Sequence, residues 1–190
     1  MNQDRPYGRV TNPERFAPLH SAVDALIGSL AARYDVEVEE AEPEGAHLRH
    51  AVLAARRLSP ANGGAPVTIT FTAFPGLSVR FGSRHVEMFP RCGCDACEEQ
   101  AEVLIDDLRR MLTSVAEGQF RETAHGYEFT FPDGNQSGDD PDSPERSPHE
   151  YPAWPLRPYE QEQQRLRPSM SPGPGWHDRQ CPSRRWPEAR

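Results

Sequence analysis

Three cysteines fall within the nine-residue string RCGCDACEE, at Cys92, Cys94 and Cys97. Thiolates are soft ligands suited to zinc, and a glycine between the first two lets the backbone fold round an ion. The spacing is C-x-C-x-x-C, not the doubled C-x-x-C of a zinc ribbon, so the motif is one ligand short. His85, Asp95, Glu98 and His125 are the nearby candidates for a fourth ligand, and Cys181 is too far along the chain to be a good one. His85, seven residues before Cys92, is preferred, which gives a zinc-type metal set of Cys92, Cys94, Cys97 and His85. A second reading is redox. Cys94 and Cys97 form a C-x-x-C pair, and at a predicted helix start the macrodipole favours thiolate. The neighbouring Asp95, Glu98 and Glu99 oppose it. In a third reading the three thiols are small, reduced, inert residues at a turn.

Other chemistry is thin. The chain has no lysine, which removes a Walker A lysine, a kinase lysine and a Schiff base. No G-x-G-x-x-G, G-x-S-x-G or H-E-x-x-H string occurs. The net charge is −8, with 19 acidic residues against 13 arginines in residues 1–132. An acidic body without a basic stripe speaks against nucleic acid and against anionic membrane as partners. His20 borders an apolar helix stripe and reads as a satisfied boundary histidine. Glu102, Asp106 and Asp107 read as a solvated helix face. Arg5 and Arg9 flank a short arm, either anion-binding or packed over a sheet edge with its arginines paired.

These residues need elements to hold them. Thr11 and Glu14 spell a capping box with Pro13 in the first turn, predicting a helix through Tyr34. Its apolar stripe is Phe16, Leu19, Val23, Leu26, Ile27, Leu30 and Tyr34. Residues 36–46 are acidic and read as a solvated loop or a short edge strand. Residues 47–58 are ambiguous, with a strand at their end. Val67, Ile69, Phe71 and Ala73 alternate with threonines in a half-buried strand. Turns at 75–76 and 82–83 then produce two hairpins ending at Pro90. Residues 95–98 read as the cap of a second helix, with Leu104, Ile105, Leu108, Met111, Leu112 and Val115 on its apolar face and a stop at Gly118. Strands at 120–123 and 127–131 follow. The order implies an α+β fold, an antiparallel sheet of hairpins with two amphipathic helices on one face.

The chain therefore divides into a single α+β domain over residues 5–132 and a disordered, proline-rich tail over residues 133–190. The tail holds eleven of the twenty prolines and almost no aliphatic residues. P-x-x-P matches at 152–155 and 155–158 hint at a protein partner reached through the tail or the sheet. The N-terminus has no apolar h-region, and the most apolar stretch is too short to span a bilayer. A cytoplasmic location with reduced thiols is the expectation. An arginine-only basic set with abundant Ala, Gly and Pro looks like a GC-rich bacterial genome.

Residues 5–16 (RPYGRVTNPERF), 74–76 (FPG) and 89–98 (FPRCGCDACE), with a less specific closing stretch at 118–131, resemble an uncharacterised actinobacterial family known only as a domain of unknown function. The resemblance covers most of residues 5–131 and none of the tail. It implies a common fold and carries over no activity. The sequence thus points to a small non-catalytic domain with a structural zinc-type site, and otherwise to a thiol redox protein using Cys94 and Cys97 or to a metal-free interaction module.

Overall fold

A computed structural model of the chain describes residues 8–43, 50–139 and 145–166. Two antiparallel sheets and three α-helices make an α+β fold. The entry helix begins later than the capping box suggests. Residues Pro13–Phe16 form a 3₁₀ turn, and α1 runs Pro18–Arg33. A second proline starts the α-helix where a missing N–H costs nothing. The Thr11 amide meanwhile donates to Asp95 Oδ1 at 3.0 Å, outside its own helix.

The first sheet is a five-stranded meander: β1 (Val36–Glu40), β2 (Val52–Pro60), β3 (Val67–Thr72), β4 (Leu77–Phe81) and β5 (His85–Phe89), in that spatial order. Within the acidic 36–46 segment, Val36–Glu40 form an edge strand whose glutamates blunt an otherwise open row of backbone donors. The ambiguous segment is strand from Val52 onward, as β2, and residues 44–49 lie outside the described residues. Val67, Ile69, Leu77, Val79 and Phe81 of β3 and β4 share one core with Leu19, Val23 and Ile27 of α1, but β3 is not half-buried as its alternation suggests. The same core takes Leu104, Leu108, Leu112 and Val115 of α2 (Ala101–Ala116). The threonine positions of β3 are buried too, since β3 is the middle strand of the sheet.

The boundary at residue 132 is overturned. β6 (Phe120–Glu122) and β7 (Gly126–Phe131) are joined by β8 (Gly134–Asp139), which pairs with β7 residue by residue, and by β9 (His149–Glu150) on the far side of β6. Pro132 and Asp133 make the turn ahead of Gly134, a P-D-G hairpin signal. After β9 the chain crosses the domain as a strap and enters α3 (Pro158–Leu166). Trp154 anchors the strap. It is 2 % exposed, its indole Nε1 donates to Ala65 O at 3.0 Å, and its backbone N–H donates to Ala116 O at 2.8 Å. Leu156 bridges to Tyr34 and Arg157 N–H donates to Arg33 O, tying the strap to the end of α1. At Gly118, φ is +71° and a Cβ would come within 2.6 Å of Ala153 N, so only glycine lets the strap lie down. The P-x-x-P strings at 152–158 thus belong to an intramolecular clasp, in which Trp154 is buried in the core and Tyr151 and Leu156 pack against it.

The two sheets meet at Glu122, which is 1 % exposed. Its carboxylate accepts Ser83 N–H (3.1 Å), Ser83 Oγ–H (2.7 Å), Arg84 N–H (2.7 Å) and Tyr151 O–H (2.9 Å). Burial alone pushes this carboxyl up. The hydrogen bonds from Ser83, Tyr151 and Arg84, with the Arg84 guanidinium, outweigh it and hold Glu122 below its ordinary value.

Two outcomes are expected. Trp154→Ala should lose about 3–5 kcal/mol in a denaturant melt, the usual cost of emptying a buried indole site. The contribution of Glu122 should be complete above its unfolded value near pH ~4.3 and disappear as pH falls through the lower folded value. Urea midpoints from pH 7 to pH 3 should fall more steeply for the wild type than for Glu122→Gln.

Candidate metal centre

The cysteines lie in the loop between β5 and α2. Their three sulfurs all fall within 4.8 Å of one another, and Cys94 and Cys97 Sγ are 3.4 Å apart. Cys94 is buried, while Cys92 and Cys97 are exposed. Among the described residues no histidine or carboxylate joins the three sulfurs in that group.

Two features of the sequence hold the loop. Glu99 reaches back so that Oε1 accepts Arg91 N–H (2.9 Å) and Oε2 accepts Cys92 N–H (3.1 Å) and Gly93 N–H (2.7 Å). A carboxylate filling a concavity of consecutive backbone donors is a strong local organiser. Gly93 is obligatory: φ is +74°, and a Cβ would meet Phe74 Cζ at 2.9 Å. From the other side comes the arm ahead of α1. Arg15 Nη2 donates to both Gly93 O and Cys94 O at 3.0 Å, and Asp95 N–H donates to Arg9 O at 2.8 Å. The arm before α1 and the cysteine string, separate in sequence, are therefore one contact surface. Of the arm over residues 5–9 only Gly8 and Arg9 are described, and they lie against the cysteine loop and not along a sheet edge. Arg5 lies outside the described residues.

The electrostatics are asymmetric. Cys94 is lowered to about 6, first by the Gly8 backbone N–H, then by the Cys92 and Cys97 thiols and the Ala96 N–H, against a smaller effect of burial. Cys97 is raised to about 12 by its hydrogen bonds to Cys94 and Cys92, by burial and by the negative charge of those neighbours. A first thiolate therefore settles on Cys94. The source of that stabilisation differs from the sequence reading. α2 starts at Ala101 with Gln100 as N-cap, so neither Cys94 nor Cys97 sits in its first turn. Glu98, at φ +49°, turns the chain between the loop and the helix.

His85 is not brought to the sulfurs. It opens β5 and pairs with Phe81, whereas Cys92 follows the other end of the strand, and β5 alone separates them by roughly 13 Å. Its ring stacks on Tyr127 with centroids 3.4 Å apart, and Nε2 lies 3.4 Å from Glu87 Oε1. Burial pushes Glu87 up, but His85, Arg91 and Tyr127 together leave it lowered. Asp95 is occupied by Thr11 N–H and Arg15, and His125 lines a cavity with His85. His20 Nε2 is 3.1 Å from Gly76 O, the satisfied boundary histidine the sequence implies. Sequence reasoning missed Glu99 and Arg15 as the groups that shape the loop. The acidic pair after Cys97 was the available signal, read instead as opposition to thiolate.

Removing the Glu99 carboxylate should free the loop without melting the domain. In Glu99→Ala, labelling of Cys94 by a thiol reagent should accelerate about tenfold or more, the opening cost of lost charge-assisted bonds. Far-ultraviolet dichroism should stay as in the wild type.

No helix among the described residues is long and apolar enough to cross a membrane. No curated protein and no solved structure matches the chain. A family model does, over residues 1–180, so the match takes in the strap and α3 that the sequence resemblance left out. The chain belongs to the family of unknown function DUF6226.

Proposed function

We propose that Cys92, Cys94 and Cys97 bind one zinc ion as thiolates, and that the ion is structural, fastening the β5–α2 loop to the N-terminal arm in a non-catalytic cytoplasmic domain. The observation that carries this reading is the mutual approach of three sulfurs within 4.8 Å. Zn–S bonds of about 2.3 Å in a tetrahedral site put sulfurs roughly 3.8 Å apart, so small side-chain rotations suffice. The Gly8 and Ala96 amides that favour Cys94 as thiolate are the kind of outer-shell donors that steady a bound metal–sulfur unit. Arg15, held on the Gly93 and Cys94 carbonyls, offsets the excess negative charge of three thiolates on a divalent ion. The fourth position falls to solvent or to a donor outside the described residues.

A second reading is favoured by one observation, the 3.4 Å separation of Cys94 and Cys97 together with their opposed shifts. In that reading the pair loses two protons and two electrons to an external disulfide and forms an S–S bond, while Cys92 stays a thiol.

Elemental analysis of the full chain, purified without a metal-affinity tag, separates the two. About one zinc per chain is expected, falling sharply in Cys92→Ser, Cys94→Ser and Cys97→Ser alike. Cobalt substitution should give sulfur-to-metal charge-transfer bands. Three native thiols that titrate freely, with no metal, would overturn the proposal. A reversible two-proton mass loss confined to Cys94 and Cys97 would establish the redox pair instead.

A further inference from the structure

A groove runs beside α2, between that helix, the cysteine loop and β8, with a volume of about 600 Å³. The size is typical of a small-molecule site, for which the usual range is roughly 300–1,000 Å³. All of its wall lies among the described residues. Phe89, Leu104 and Met111 are nearly buried yet reach the groove, so they form an apolar floor, and Val103 of α2 is exposed on its lip.

Unanswered charge sits at two points on this wall. Glu98 turns the chain ahead of α2, and Asp107 lies in the second turn of the helix. Neither carboxylate makes a hydrogen bond or an ion pair. The other charged groups on the wall are already matched. Glu99 accepts the three loop amides, and Arg91 Nε lies 3.4 Å from Glu87 Oε2. From Gln100 to Asp107 the helix rises roughly 10 Å, and Glu98 lies farther back along the chain. That separation suits two cationic groups joined by a chain, not one ion. Among the described residues only the three cysteines gather closely enough to hold an ion.

An ammonium at each end meets Glu98 and Asp107, and the methylenes between them cover the floor, as the stem of a surface lysine covers apolar area while its head stays wet. Burying the methylenes is favourable but non-directional, so the two carboxylates set the register. The net charge of −8 favours the approach of a cation from solution.

We propose that the groove between α2 and β8 binds a linear aliphatic diamine or polyamine, with its amines at Glu98 and Asp107 and its methylenes over Phe89, Leu104 and Met111. The site is independent of the cysteine centre and stands whether or not that centre holds zinc.

Amide NMR of the full chain tests this, with diaminooctane and spermidine as probes and ethylenediamine and magnesium chloride as controls at matched ionic strength. Saturable shifts at Val103 and Asp107 are expected with both long amines. Ethylenediamine, too short to span the carboxylates, and magnesium should each bind about tenfold more weakly, or weaker still. Asp107→Asn and Glu98→Gln should each weaken diaminooctane about fivefold, the upper range for an exposed ion pair. Neither carboxylate has a partner to lose, so the melting temperature of the unliganded protein should not change. Glu37→Gln, on the edge strand β1, should bind as the wild type does. Ethylenediamine or magnesium binding as tightly as diaminooctane would mean diffuse attraction to an acidic chain and would overturn the proposal. A non-saturating response, or wild-type affinity in either groove variant, would do the same.

Discussion

One buried carboxylate makes two sheets into one structure. Glu122 sits on β6, but everything it accepts from lies elsewhere: Ser83 and Arg84 in the β4–β5 turn and Tyr151 at the head of the strap. Burying a carboxylate is costly, and the cost is offset only when its lone pairs are all used. The five-stranded meander, the second sheet and the strap must therefore reach their final positions together. Around this point Phe81, Phe120 and Phe129 pack edge to face or tilted, filling the same junction with apolar area. The polar pin and the aromatic cluster are complementary. The rings supply non-directional stabilisation, and the carboxylate sets which turn faces which strand.

The same economy governs the cysteine loop. Glu99 collects three consecutive amides and Arg15 collects two carbonyls, so the loop backbone is satisfied from both sides without regular secondary structure. The thiols are thereby left free for other work. Their proximity raises a problem that the loop does not solve by itself, since three sulfurs this close cannot all ionise without a counter-charge. Backbone donors accommodate one thiolate, at Cys94, and push the burden onto Cys97. A divalent ion is the simplest way to discharge the rest.

The strap has a double role. It closes the core with Trp154, and its upstream approach brings Arg146 to the edge where Arg84 is already locked by Glu122. The segment read as disordered is thus structural at one end and lines a cavity beside Arg84 at the other.

Sequence alone determined what depends on local period and local chemistry. The α1 stripe from Phe16 to Tyr34, the strands β3, β4 and β7, the apolar face of α2 and the three-thiol motif were all legible, because each is written in neighbouring residues. The capping box failed because Thr11 found a better acceptor in Asp95, which lies 84 positions away. Composition averages over a stretch and so hid the ordered residues past 132, which pair with β7 and β6 and are pinned to the core by Trp154. The turn at Pro132 and Asp133 was in plain view but was outweighed by the polar strand after it. His85 was preferred as a ligand on separation along the chain, while the extended strand between carried it away from the sulfurs. Tertiary structure alone decided what sits beside the thiols and what Glu122 and Trp154 hold together. Those are contacts between residues with no local correlation, and only the closed chain brings them together.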